Sequence, residues 1–512
     1  MTEEKDGRLL QIDSADNVAL VLSEAKEGEV VPVDGSGKVQ LREGERIPLG
    51  HKVALGDIEK GEEIVKYGNP MGRATERIKR GSWVHTHNVE TNLDGKGEYS
   101  YRPAGQLKRR SRSEKGESVS FPGYRRENGE VGVRNEIWVL NTVGCVNGPA
   151  ERITTLAKER LEEEMRRNGV GGVFHFPHPF GCSQVGEDLE NTQKILAGLA
   201  KHPNAGGVLL LGLGCEKNRI EYMKGTIGEW EEGRIRFLDL QTVEDDLRAG
   251  LEEVEKLIQY AGRFERESVS LSQLKIGLEC GGSDSFSGIT ANPLLGRVSD
   301  EVTSHGGTAL LTEISEIFGA ENLLMDRAKD EGVFREIVQI VEECEDYLTS
   351  HGRSVHDNPS PGNIEGGITT IEEKALGNIA KGGSGRVEGV ARYGERVEGS
   401  GLWLLQGPAN DGASITALAA AGAQVIFFTT GRGTPLGGPV PTIKVSSNSQ
   451  LARRKGSWID FDAGRLIPGE DMEELAEELF TYLLEVASGK EETCNEVNDY
   501  REIALLKTGV TL

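Results

Sequence analysis

Residues 136–182 read EIWVLNTVGCVNGPAERITTLAKERLEEEMRRNGVGGVFHFPHPFGC. Two apolar runs, at 136–144 and 171–178, flank a segment at 149–167 whose apolar residues recur at three- and four-residue spacing. A strand, a helix and a second strand in that order form a parallel pair, because parallel strands need a crossover of about a dozen residues. The alternation continues toward the C-terminus. Apolar runs AGGVLLLGLG, RIRFLDL, KIGLECG, TALLTEI, GLWLLQGP and AQVIFFTTG are separated by helical stretches such as NTQKILAGLAKH, and EDMEELAEELFTYLLEVAS supplies the final helix. The pattern predicts an α/β region built on a mainly parallel sheet. A long helix over 245–268 is expected to close a first lobe at 124–273, leaving a second lobe at 274–512.

Upstream the texture changes. Short runs (NVALVL, EVVPV, HKVALGDI, EEIVKYG, SWVHTHN) are broken by glycines and acidic turns, which predicts a small all-β domain over 1–100. A polar linker at 101–123 follows, with KRRSRSEKGES at 108–118 read as a solvated charge run.

Composition narrows the function. The 512 residues include 68 glycines, roughly twice average usage, with no collagen-like period. Fifty-nine basic against 83 acidic residues give a net charge of −24, which disfavours nucleic acids and anionic membranes as partners. An anionic substrate would therefore need a locally electropositive site. No apolar run approaches the roughly 18 residues of a spanning helix, and MTEEKDGRLL lacks a signal-peptide core. A soluble cytoplasmic protein is expected.

Four of the six cysteines fall at predicted strand ends: Cys145, Cys182, Cys215 and Cys280. Ligands of open α/β sheets bind beyond those ends, and convergent thiolates suit a soft metal or an iron–sulfur centre. Cys344 and Cys494 lie elsewhere and read as packing. Among nine histidines, His51 precedes Lys52, and His85 and His87 share one face if the strand runs through them; the pair then offers two metal ligands, or a ligand and an acid. His178 is expected at the mouth of the crevice and His175 in packing. Polar glycine-rich loops at 281–293 and 429–438 present backbone N–H groups to anionic oxygens, and Arg432 can fork onto a carboxylate. The run GRGTPLG at 431–437 misses the dinucleotide fingerprint by one residue, and no phosphate-binding P-loop occurs.

The runs GHKVALGDIEKGEEIVKYG, VHTHN, YRRENGEVGVRNEIWVLNTVGCVNG, FGCSQ, HPNAG, LGLGCE, GLECGGSDSFSGITANP, NPSPGN, GGITT, TTGRGTP, WIDFDAG and KTGVTL follow one another along nearly the whole chain. Together they resemble the altronate/galactarate dehydratase family; PAND at 408–411, where PGND is expected, is a small departure. The resemblance implies an N-terminal SAF-type β-clip domain followed by a large Rossmann-like α/β region in two lobes. It implies dehydration of D-altronate to 2-dehydro-3-deoxy-D-gluconate in hexuronate catabolism, with dependence on Fe2+ (as an ion or an iron–sulfur centre, Mn2+ substituting). Galactarate dehydration and sulfolactate sulfo-lyase chemistry are the alternatives within the family, and a non-enzymatic sugar-acid binder is the alternative outside it. Lys52 or His51 is expected as base and His85 or His87 as acid or metal ligand, with Cys145, Cys182, Cys215 and Cys280 as further ligands. Ser283, Asp284, Ser287, Asn292 and Arg432 are expected to grip the substrate. The expected partner is a small sugar acid, with a homodimer as the assembly to test.

Overall fold

The computed structural model describes residues 8–509 apart from 24, 35–36, 94–96 and 104–118. The basic run at 108–118 therefore lies outside the described residues. The N-terminal domain is all-β: a six-stranded sheet and a three-stranded sheet. In the larger sheet the short strand Lys52–Ala54 pairs antiparallel with Val18–Val21 on one side and Trp83–Val84 on the other. In the smaller, Glu63–Lys66 and Asn69–Ala74 form a hairpin across Tyr67–Gly68. Both turn residues have positive φ, 59° and 69°, the signature of a type I′ turn, whose twist matches that of the flanking strands.

The first α/β sheet is wholly parallel, in the order Val173–Phe176, Glu136–Asn141, Ala205–Gly212, Ile235–Asp239. All eight residues of Ala205–Gly212 are buried, as expected of a parallel strand covered on both faces. The second sheet has seven parallel strands, with Lys275–Cys280 at its centre between Thr308–Leu311 and Val425–Thr430. Helices from the two lobes meet directly: a Cβ on Gly198 would lie 2.5 Å from the Ala420 carbonyl oxygen, so only glycine permits that approach.

One helix and one boundary differ from expectation. The helix predicted over 245–268 spans Asp246–Ala261. Beyond Gly262 the chain runs too near Asn168 to keep a side chain (a Cβ would lie 2.2 Å from its Oδ1), and Arg266–Ser270 becomes a strand. That strand pairs antiparallel with Ser120–Arg125, so the expected edge of the linker at 123 falls inside a strand. The β-domain does not stand apart. Ala54, Ile64, Met71 and Val84 share one apolar cluster with Leu278, Leu294 and Ile371 of the second lobe.

Candidate active site

The strand Lys52–Ala54 is buried along its whole length, and it carries Lys52 into the seam between the β-domain and the second lobe. The Lys52 ammonium donates to Gly367 O at 2.7 Å and to the two carboxylate oxygens of Glu373 at 2.8 and 3.0 Å. Lys66, at the foot of the type I′ hairpin, donates to Glu373 at 2.6 Å. Two lysines thus share one carboxylate, and all three side chains are almost completely buried. Glu373 sits in the first turn of the helix Ile371–Ile379, capped by Thr370, where the positive end of the helix dipole also favours its charge. Burial opposes ionisation of Glu373, but the two ammonium groups hold its carboxyl at about 2. Burial pulls Lys52 down to about 8, with Lys66 adding repulsion. Lys66 is raised instead, because Glu373 and Tyr67 outweigh its burial. Two buried cations share one anion, and Lys52 is the one that gives up its proton more readily.

Three further side chains of the helix and the turn after it, Lys374, Asn378 and Lys381, recur at four- and three-residue spacing and face Cys280. Cys280 Sγ lies 3.4 Å from Glu313 Oε2, 3.9 Å from Glu316 Oε2 and 3.5 Å from Asn378 Oδ1. Lys381 donates to Glu313 at 2.7 Å and Lys374 to Glu316 at 2.8 Å. Glu313 holds φ 67° in the left-handed region, where a non-glycine residue is strained; such strain collects at functional sites. Beside them Glu279 is fully buried, and both its carboxylate oxygens lack a partner. Burial and then Glu313 push its carboxyl well up. Three carboxyl groups face two ammonium groups, and the one without a partner, Glu279, is pushed toward its neutral form.

A narrow cavity joins the two networks. Its wall includes Tyr67, Cys280, Ser283, Ser287, Glu373 and Lys374. A wider cleft opens nearby over Asp284 and Phe286 and carries Arg432, Arg453 and Arg454, a locally basic patch in a chain of net charge −24. A larger cavity, near Arg234 and Lys275, lies at the other, N-terminal ends of the strands. Ligands of parallel sheets bind beyond the C-terminal ends, and the charged networks are there.

Several expected site residues take other places. His85 and His87 do not share a strand face: the strand ends at Val84, and Asn88 closes a turn by accepting from His85 N at 2.9 Å through its side chain. His85 is buried, with Nδ1 3.2 Å from Thr369 Oγ1, whereas His87 is exposed; the pair cannot clasp one metal. Burial, then Lys52 and His51, lowers His85 to about 4. His51 accepts from Trp83 Nε1 at Nδ1 and meets Glu365 O at Nε2, so neither nitrogen is free to act as base. His178 is buried rather than at the crevice mouth, bonded to Asn141 O and Phe180 N. The four thiols do not surround one point: Cys280 is buried in the second sheet, whereas Cys145, Cys182 and Cys215 are exposed on the first. Asp284 accepts from Ser287, Ser447 and Asn448, and Asn292 bonds Gly377 and Thr429; both staple loops from positions on the cavity wall. Ser283 and Ser287 line the cavity. Arg432 is half-exposed and paired with Glu365 at 3.1 Å. Lys66, Glu279, Glu313, Glu316, Glu373, Lys374 and Lys381 escaped the sequence reading. The helical spacing of polar residues in IEEKALGNIAK was the signal available.

Family models match the chain in three consecutive blocks: the altronate/galactarate dehydratase SAF domain over residues 7–92, the D-galactarate dehydratase/altronate hydrolase second domain over 123–262, and the D-galactarate/altronate dehydratase C-terminal domain over 271–511. The chain belongs to the altronate/galactarate dehydratase family. Within this family it is 48% identical over 503 residues to the altronate dehydratase of Escherichia coli K12, covering 98% of this chain and 99% of that one. It is 46% identical to the altronate dehydratase of Bacillus subtilis 168, again over 98% and 99%. The galactarate dehydratase (L-threo-forming) of E. coli K12 is 33% identical over 95% of this chain and 94% of its own. The all-β domain is thus the SAF domain of the family, and the chain is a hydro-lyase. Among the described residues no helix is long and apolar enough to cross a membrane.

Proposed function

We propose that this hydro-lyase dehydrates D-altronate to 2-dehydro-3-deoxy-D-gluconate. The observation that carries the reading is the seam itself: a lysine of lowered pKa, a shared carboxylate and a polar cavity meet where the SAF domain covers the strand ends. The near-complete match to two altronate dehydratases favours altronate over galactarate.

The reaction removes the C2 proton and expels the C3 hydroxyl, and the enol product then ketonises at C2. Lys52 is the base. Its amine lies behind Glu373, and it acts after shedding that bond while Lys66 keeps the carboxylate neutralised. Tyr67, at the hairpin tip on the cavity wall, is the group placed to protonate the departing hydroxide. Arg432, Arg453 and Arg454 draw the carboxylate into the cleft, and Ser283 and Ser287 bond the hydroxyls.

The donors fit a divalent cation, because Cys280, Glu313 and Glu316 bring ligand atoms within 4.8 Å of one another, and both carboxyl oxygens of the adjacent Glu279 are buried without a partner. These three residues would hold Fe2+, or Mn2+ in its place. A cation there supplies Lewis acidity toward the substrate's carboxylate and hydroxyl oxygens. The test is turnover of D-altronate, galactarate and sulfolactate by the same preparation before and after chelation. Altronate is expected to be the preferred acid, with activity lost on chelation and restored by Fe2+. Preference for another acid, or full turnover by the chelated enzyme, overturns the proposal.

A further inference from the structure

The exposed cysteines of the first lobe are unused by this chemistry. Cys145, Cys182 and Cys215 follow three adjacent parallel strands, with the strand of Cys145 in the middle. Register aligns Asn141 with Leu211, so Cys145 and Cys215 each lie four residues past a paired position. The loops are tied together: Gly144 N donates to Phe180 O at 2.8 Å, Asn218 N to Gly181 O at 3.0 Å, and Asn218 Nδ2 to Thr142 O at 2.9 Å. A glycine precedes each thiol. A Cβ on Gly144 would lie 2.7 Å from His178 O, and one on Gly181 would lie 2.1 Å from Thr142 O. Only glycine lets these loops close so tightly beside the thiols.

Cysteine is among the residue types most often buried, so three exposed thiols on one sheet end call for a ligand. The helices that follow the three loops, Asn147–Arg160, Glu187–Ala200 and Ile220–Ile227, all start without a side-chain cap. Asp246–Ala261 and Glu331–Ser350, by contrast, are capped by Asp245 and Asp330. Each helix dipole favours an anion at its N-terminus; Glu187, Asp188 and Glu190 already stand in the first turn of the second helix and Glu221 in that of the third, so the end of the first helix, which has no acidic residue in its first turn, is the least compensated.

Two thiolates on one zinc or iron ion lie at most about 4.6 Å apart, since metal–sulfur bonds are about 2.3 Å. Among the described residues, only Cys280, Glu313 and Glu316 form a set within 4.8 Å, so the three thiols are spaced too widely for one ion. A polynuclear group bridges wider gaps, and sulfur donors select iron–sulfur clusters. We propose that Cys145, Cys182 and Cys215 ligate an iron–sulfur cluster, separate from the Cys280 site, with one iron left without a protein ligand.

The test is iron and acid-labile sulfide per chain, with the visible absorption of the cluster, in full-length protein purified anaerobically and reconstituted with iron and sulfide. Wild type is expected to hold sulfide in equal amount to cluster iron. Cys145→Ser, Cys182→Ser and Cys215→Ser should each lose sulfide and absorption at least fivefold, whereas Cys280→Ser keeps both. Alkylation mapping of the wild type covers the case of a variant that fails to fold: the three thiols should be protected in the reconstituted protein and labelled after chelation. Iron without sulfide, sulfide retained in all three variants, or labelling unaffected by chelation would each overturn the assignment. None of these readouts depends on turnover, so they stand or fall apart from the proposed dehydration.

Discussion

Lys52 and Glu373 divide the work of one buried ion-pair network, and they should respond differently to replacement. Lys52→Met removes a buried cation but leaves Glu373 neutralised by Lys66. The melting temperature should fall less than in Glu373→Gln, because Lys66 still pairs with the carboxylate, while kcat falls about 10²- to 10⁴-fold with loss of the base. Glu373→Gln strands two ammonium groups without a counter-charge and should destabilise the fold by about 3–5 kcal/mol; denaturant unfolding of both variants checks the contrast. The pH profile follows from the direction of the Lys52 shift. The active form is the neutral amine, and burial pulls the group down to about 8, so kcat/KM should rise about tenfold per pH unit below 8 and level off above it. A flat profile through that range rules Lys52 out as the base. Lys52, beside His51, was expected from the sequence as a base, but Glu373 was not: its partner comes from 321 residues away, and no local pattern announces a contact formed by docking.

At the scale of elements, the strands and crossovers of both α/β lobes could be read from periodicity because parallel strands are buried on both faces and appear as unbroken apolar runs. The errors fell where a run ended. WVHTHN carries strand-like alternation, yet the Asn88 side chain captures His85 N and turns the chain, so the parity argument for His85 and His87 failed. The Tyr67–Gly68 hairpin offers a test of how elements build the site. A Cβ on Gly288 would lie 2.3 Å from the Tyr67 hydroxyl, so Gly288→Ala should push the hairpin tip, and with it Lys66, away from the cavity. We expect kcat/KM to fall while thermal unfolding stays cooperative. Tyr67→Phe in the Gly288→Ala background should restore part of the lost stability, a non-additivity readable in a double-mutant cycle. Strict additivity would mean that the two residues do not meet.

At the scale of the whole molecule, the sequence announced a small β-domain, a linker and an α/β region, and left open how they touch. The structure makes the β-domain part of the second lobe's core rather than an appendage. Met71 and Val84 pack with Leu278 and Ile371, Thr91 donates to Glu372 at 2.7 Å, and Lys52 and Lys66 bury their charges on Glu373. Separating the two parts would expose that apolar surface to water and break the shared ion-pair network, so burial of the apolar seam holds the parts together. The covalent link is then unnecessary for the site. Two coexpressed chains, 1–103 and 119–512, are expected to elute together in gel filtration and to turn over substrate within a few-fold of the intact protein. The longer chain alone should be inactive, because it lacks Lys52, Lys66 and Tyr67. Activity in that chain by itself would show that the seam is not the site of chemistry, and an inactive, dissociated pair would show that the linker holds the domain where packing alone does not.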